Sequence, residues 1–255
     1  MKPDKNLKDF LDAKAAFYCD KWFVSNDPVS IPHRFRKKED IEISAFLTAT
    51  LSWGQRAMII KKAGLLMDMM DNDPLNFLTG SSTRAFDRFN GFVYRTFNGL
   101  DCSYFVSAMR EIYLHHNGLE HAFMTGYKSN GSVREALVAF RRLFMQFEPL
   151  VRTGKHVADV NRNASAKRLN MFLRWMVRDD GLVDFGLWKG MATSELMIPL
   201  DLHVGRVARK LGLLNRKQND WKAVEELTAA LRRFRPDDPV FYDYALFGLG
   251  VYEGY

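Results

Sequence analysis

Cysteine is almost missing from this 255-residue chain: Cys19 and Cys102 stand alone, each inside an apolar-periodic stretch. That excludes a disulfide framework and any four-cysteine zinc or iron–sulfur site, and it fits a reducing compartment, the cytoplasm. Proline is also scarce, with 8 residues, and there are only 17 glycines, so the chain is neither collagen-like nor of low complexity. No apolar run approaches the ~18 residues needed to span a bilayer. The most apolar stretches are broken by Lys61-Lys62 or Asp68, and no membrane partner is expected. The first residues, Met1 to Asn6, lead into a mixed helix and not into the apolar segment of a signal peptide.

What is present is core material and positive charge. Hydrophobic residues make up 47% of the chain and aromatics 13%, enough for one large core or two lobes. Lys and Arg exceed Asp and Glu by 37 to 30, a formal +7, which makes a polyanion a plausible partner. The charge is concentrated: residues 151–178 hold seven Lys/Arg (152, 155, 162, 167, 168, 174, 178) against one acid, Asp159.

The apolar spacing is helical almost throughout, and no segment shows the sustained alternation of a half-buried strand, so the expected fold class is all-α. Helices are expected over about 7–24, 41–51, 56–70, 101–115, 119–127, 132–147, 165–178, 202–211 and 221–234. A short one starts at Asp73-Pro74, and a final, almost wholly apolar one at Asp238-Pro239. Residues 29–38 read as extended and basic, and 148–165 as a long loop. Because Ile41–Leu51 is apolar nearly all round, it should lie at the centre of a core. In the helix after Ser165, Leu169, Phe172, Leu173, Met176 and Val177 form the buried face, while Lys167, Asn170, Arg174 and Arg178 share a polar stripe. Beyond Pro199-Leu200, Asp201 reads as an N-cap, and His203, Arg206 and Lys210 form a second basic stripe.

Two residues at helix starts carry candidate chemistry. Lys167 is a nucleophile when neutral, a state that neighbouring cations such as Arg168 and Arg174 favour. Asp201 could take a proton and stabilise positive charge on a sugar ring. On spacing alone the plainer reading prevails: a solvated first-turn lysine and an aspartate that only caps its helix. His115, His116 and His121 are read as surface residues, since Asn117-Gly118 interrupts them, and Gly248-Leu-Gly250 lacks the preceding strand of a phosphate loop. Trp22, Phe23, His33, Arg34, Phe35, Arg36, Lys37, Lys38, Trp53 and Arg56 read equally as a stacking surface for nucleic acid or as core aromatics beside a solvated charge run.

Three segments, in order, resemble the helix-hairpin-helix DNA glycosylase superfamily. Ile43 to Leu51, followed by Ser52-Trp53-Gly54-Gln55, resembles the apolar helix and Leu-Ser-x-Gln element whose glutamine probes the duplex, with Gln55 one place late. Ser165-Ala-Lys167-Arg168-Leu-Asn170 resembles the segment with the catalytic lysine. Pro199-Leu-Asp201-Leu-His203-Val-Gly-Arg206-Val resembles the segment with the catalytic aspartate. Lys167 and Asp201 are 34 residues apart, a spacing closest to that of the archaeal 8-oxoguanine branch. The chain as a whole also resembles an uncharacterised bacterial domain-of-unknown-function family within or near that superfamily. Two elements are missing: the glycine-rich hairpin, replaced by Asn161-Arg-Asn163-Ala-Ser165-Ala, and the cluster-binding cysteines.

The resemblance implies a two-lobed glycosylase-like fold with a central cleft, residues 1–55 plus 199–255 making one lobe and 56–198 the other. It implies a DNA glycosylase with AP-lyase chemistry acting on a damaged, oxidised purine in double-stranded DNA. Lys167 and Asp201 would be catalytic, and Trp53, Gln55, Arg56, Arg168, Asn170, Arg174, His203, Arg206 and Lys210 would touch DNA. No cofactor, no iron–sulfur cluster, no metal and no obligate protein partner are expected. The alternative is a non-catalytic binder of structured or damaged nucleic acid.

Overall fold

The computed structural model describes residues 4–147 and 151–255, so the Glu148-Pro149 part of the expected loop and the first three residues lie outside the described residues. The chain is helical as expected. Its α-helices are α1 (Lys5–Tyr18), α2 (Lys21–Asn26), α3 (Lys38–Leu51), α4 (Arg56–Met69), α5 (Pro74–Gly80), α6 (Gly99–His115), α7 (Gly118–Asn130), α8 (Val133–Phe144), α9 (Lys167–Val177), α10 (Leu202–Lys210), α11 (Trp221–Arg232) and α12 (Tyr242–Tyr252).

Three local expectations need correcting. The first helix breaks at Cys19-Asp20 into α1 and α2. Residues 29–38 are not extended: Pro28–Ser30 and Pro32–Arg34 form two 3-10 turns, each with proline at the first position, where its missing N–H costs nothing. A hairpin also went unforeseen, because strands of two residues, β1 (Val93–Tyr94) and β2 (Phe97–Asn98), are too short to show alternation. Among the described residues no helix is long and apolar enough to cross a membrane.

The chain divides into two compact units, a middle unit of Ser25–Ala158 and a terminal unit of Met1–Val24 with Asp159–Tyr255. These boundaries differ from those expected near 55 and 198. Helix α3 goes with the middle unit because α4, α5 and α7 pack around it, and residues 40–52 are all buried. Helix α9 goes with the termini because its charged stripe pairs with side chains on and before α12.

Aromatic packing dominates the middle unit. Phe46 of α3 meets Phe105 of α6 at 5.9 Å and Phe140 of α8 at 5.4 Å, and Phe123 of α7 stacks on Phe140 at 4.0 Å. Helices α7 and α8 approach closely at Gly126, where a Cβ would lie 2.2 Å from the Glu135 carbonyl oxygen. Burying such rings supplies roughly 1.5–3 kcal/mol each.

In the terminal unit, α1 and α10 pack on α12. Gly248 and Gly250 are helix-packing residues there: a Cβ on Gly248 would lie 2.2 Å from the Tyr18 ring, and one on Gly250 3.0 Å from His203 Cβ. The segment after α9 folds back along it, Phe185 N–H donating to the Trp175 carbonyl (2.8 Å) and Trp188 N–H to that of Met176 (2.9 Å).

Candidate functional site

Lys167 and Asp201 both belong to the terminal unit, each at the start of a helix. Lys167 opens α9 after a left-handed turn. Asn163 (φ 62°) and Ala166 (φ 51°) adopt the positive-φ backbone that glycines would take more easily. The Asn163 side chain donates to Asp220 (2.8 Å), and its carbonyl accepts from Trp221 N–H (3.1 Å), so the turn is tied to the start of α11. Bonding from Arg216, with help from the Ala223 N–H and Asn163, holds the Asp220 carboxyl down at about 2. The turn before α9 thus holds left-handed backbone at two non-glycine positions. For an alanine that geometry costs about 1–2 kcal/mol.

Asp201 is the N-cap of α10, as expected, accepting from Val204 N–H at 2.9 Å, while its own carbonyl accepts from Asn219 Nδ2 at 2.9 Å. Beside it Leu202 is 81% exposed. Lys167 is half-buried and makes no hydrogen bond or ion pair among the described residues. The two residues meet electrostatically at a third, Asp243 in the first turn of α12. Burial raises the Asp243 carboxyl to about 7, opposed by Arg174; the Asp201 charge raises it further and Lys167 lowers it.

Most of the polar stripe of α9 is buried. Arg174 is buried, with Nε 3.2 Å from Asp184 and Nη1 on Asp243, and its guanidinium lies 4.4 Å from the centre of the Tyr244 ring. Arg178 is buried too, bonding Asp184 (3.0 Å), Asp238 (2.9 Å) and Asp180. The Tyr244 hydroxyl completes the cluster by donating to Asp184 at 2.9 Å. Burial raises the Asp184 carboxyl, against the pull of both arginines. Arg174 is therefore a structural cation and not a DNA contact, since two buried carboxylates leave it no route to a phosphate. Asn170, also assigned to DNA, is only 1% exposed and donates to the Ser165 carbonyl at 3.2 Å.

The remaining cationic candidates divide by exposure. His203, Arg206 and Lys210 are exposed along α10, with Arg206 donating to the Gly250 carbonyl (2.9 Å) and Lys210 lying 5.2 Å over the Tyr255 ring. Arg168 is partly buried, which pushes its guanidinium down to about 10. Burial likewise pushes the Cys19 thiol up to about 12 and Cys102 well above its ordinary value, so neither is a ready thiolate.

Trp53, Gln55 and Arg56 belong to the middle unit. Gly54 between them has φ 102°, and a Cβ there would lie 2.7 Å from Arg95 of the β1–β2 turn. Trp53 is half-buried, 5.2 Å from Tyr94 and 5.9 Å from His156, its carbonyl accepting from the Tyr94 hydroxyl. Gln55 is exposed, with extended backbone at the N-cap of α4. His115 and His121 are exposed, and no group of three or more His, Cys, Asp or Glu among the described residues could hold a metal ion.

Sequence reasoning missed Asp243, Asp184 and Asp180. A signal existed for the first: one acid inside the apolar run Tyr242-Asp243-Tyr244-Ala245-Leu246, since a lone carboxylate on a buried helix must find a cation.

The chain matches, over residues 27–252, the family described as Protein of unknown function (DUF2400), and it belongs to that family. No curated protein and no solved structure matches it.

Proposed function

We propose that the protein is a DNA base-excision glycosylase with AP-lyase chemistry, sharing the two-lobed helix-hairpin-helix architecture and removing an oxidised purine from double-stranded DNA in the cytoplasm. The observation that carries this reading is that Lys167 and Asp201 open two helices of the same compact unit, together with a lysine that has no ion-pair partner among the described residues. A lysine at a helix start that is not tied into a salt bridge is available as a nucleophile.

In this reaction the target nucleotide leaves the stack, because its glycosidic bond is out of reach within the duplex. The neutral Lys167 amine attacks C1′ of the deoxyribose while the bond from C1′ to the purine nitrogen breaks, its electron pair leaving with the base. One proton of the attacking amine goes to the departing purine, and the other goes to O4′ as the C1′–O4′ bond breaks and the C1′=N bond of the Schiff base forms. Asp201 offsets the positive charge that develops on the sugar. His203, Arg206, Lys210 and Arg168 contribute phosphate contacts, and Trp53, Gln55 and Arg56 fill or flank the vacated stack. The scheme needs no cofactor and no protein partner.

Trapping with borohydride on duplexes bearing 8-oxoguanine or an abasic site tests it. A covalent adduct is expected with wild type, and none with Lys167→Ala. Salt-dependent DNA binding that is unchanged in Lys167→Ala and Asp201→Asn, with no adduct on any lesion, would replace this reading with that of a non-catalytic nucleic-acid binder.

A further inference from the structure

Two buried acceptors, one on α9 and one that α12 presents to it, are unsatisfied. Asn170 Oδ1 and Asp243 Oδ1 are both buried, and neither receives a hydrogen bond among the described residues. The Asn170 amide orientation is set by its Nδ2 donation to the Ser165 carbonyl, so Oδ1 is the atom left over. Buried acceptors are nearly always paired, and an orphan costs about 1–3 kcal/mol. One on the stripe and one paired to it from α12 call for a shared donor.

Lys167 is the candidate donor. It lies three residues before Asn170 on the same face of α9, and an ammonium carries three hydrogens. Asp243 is drawn to this stripe by Arg174, which is seven residues after Lys167, about 10 Å along the axis. Helical side chains lean toward the helix N-terminus, so the Arg174 guanidinium is carried back towards the Asn170 turn. The Asp243 carboxyl also senses the Lys167 charge.

We propose that Asp243 Oδ1 and Asn170 Oδ1 form a docking pair for the Lys167 ammonium, which makes Asp243 and Asn170 positioning residues for the amine. The proposal rests on Lys167 being the reactive amine. In the docked arrangement the ammonium is held against α12; once it loses its proton it keeps fewer hydrogens to donate and less attraction to the carboxylate, and it is released. The other charged groups around Asp243 are Arg174 from α9, Asp201 at the head of α10 and Asp184 between them. On α1, which also packs on α12, Asp12 and Lys14 engage Tyr242 and Glu253 instead.

The sign follows from electrostatics. An ionised Asp243 stabilises the ammonium, so removing its charge moves the Lys167 titration down, and adding a charge at position 170 moves it up. The experiment is competitive acetylation of the full chain with acetic anhydride between pH 6 and 11, with Lys167 followed by peptide mass spectrometry. Asp243→Asn should raise the neutral fraction of Lys167 at pH 8 about tenfold, and Asn170→Asp should lower it. The first change leaves Arg174 its second carboxylate, Asp184. Superimposable Lys167 profiles in the three proteins, or shifts of the same sign in both variants, overturn the docking pair; if Asp243→Asn does not fold, an unshifted or downward profile in Asn170→Asp overturns it alone.

Borohydride trapping on an abasic duplex, run on the same proteins, separates this proposal from the one beneath it. If the acetylation profiles move as expected and wild type is not trapped, the docking pair stands and the lyase reading falls. If wild type is trapped while the acetylation profiles coincide, the docking pair falls alone.

Discussion

The two compact units solve the problem of a buried interior with different materials. The middle unit closes on rings, Phe46, Phe105, Phe123, Phe140 and Phe144, which carry no charge and titrate nowhere. The terminal unit buries Arg174, Arg178, Asp184 and Asp243 against one another. Apolar burial is non-directional and tolerant, whereas buried charges demand specific partners and respond to pH. The buried arginine–carboxylate cluster thus ties the stability and geometry of the terminal unit to protonation.

The largest effects that would sharpen this contrast are expected from breaking each core. Arg174→Ala should cost about 3–5 kcal/mol by leaving Asp243 without its cation and Asp184 with Arg178 alone, and Phe140→Ala should cost a similar amount through its cavity. Denaturant melts across pH 5 to 9 distinguish the two: the cost of Phe140→Ala should stay constant and that of Arg174→Ala should vary with pH. A flat profile for both would remove the distinction.

The next effect is smaller and has a defined sign. The folded-state Asp243 titrates near 7, above its unfolded value of 3.8, so the folded protein binds the extra proton between those limits. Its contribution to stability therefore falls as pH rises from about 4 to about 7 and is level above that. Asp243→Asn should make thermal stability decline less steeply over that window. An unchanged slope in thermal melts would show that Asp243 is ionised at all these values.

Smaller again is the strain at the turn before Lys167. Ala166→Gly should relax the left-handed backbone and, after the entropy that glycine adds to the unfolded chain, change stability by no more than about 1 kcal/mol, towards stabilisation. Calorimetry on the two proteins checks it, and a loss above 1 kcal/mol would mean that the Ala166 methyl, buried as it is, contributes packing that outweighs the strain. Smallest for stability, Arg206→Ala on exposed α10 should shift it within about 0.5 kcal/mol. Under the proposed function the same change should lower the salt dependence of DNA binding by about one phosphate contact.

Much of this architecture was legible in residue order. Helix α3 showed its central place in an uninterrupted apolar face, and Asp201 its cap in a polar residue before Leu202. Helix α9 shows where such reading stops. The spacing of Lys167, Asn170, Arg174 and Arg178 correctly put them on one stripe, but a stripe of polar residues looks the same whether water or carboxylates lie opposite. Only the fold brings Asp184 and Asp243 to it, from 10 and 69 residues away. The β1–β2 hairpin was invisible for another reason, its pairs being too few to make a period.

Composition and periodicity by themselves determined an all-α chain with two unpaired cysteines, no membrane-spanning run, and a lysine and an aspartate each opening a helix. These are local properties, set by side-chain period, capping and charge within one or two turns. Tertiary structure decided which cations are available. It moved Arg174 and Arg178 from a presumed surface into a buried network, left Lys167 without an ion-pair partner among the described residues, and placed Asp243 where it senses both Lys167 and Asp201. Burial and pairing depend on what a distant part of the chain presents, which no local pattern encodes.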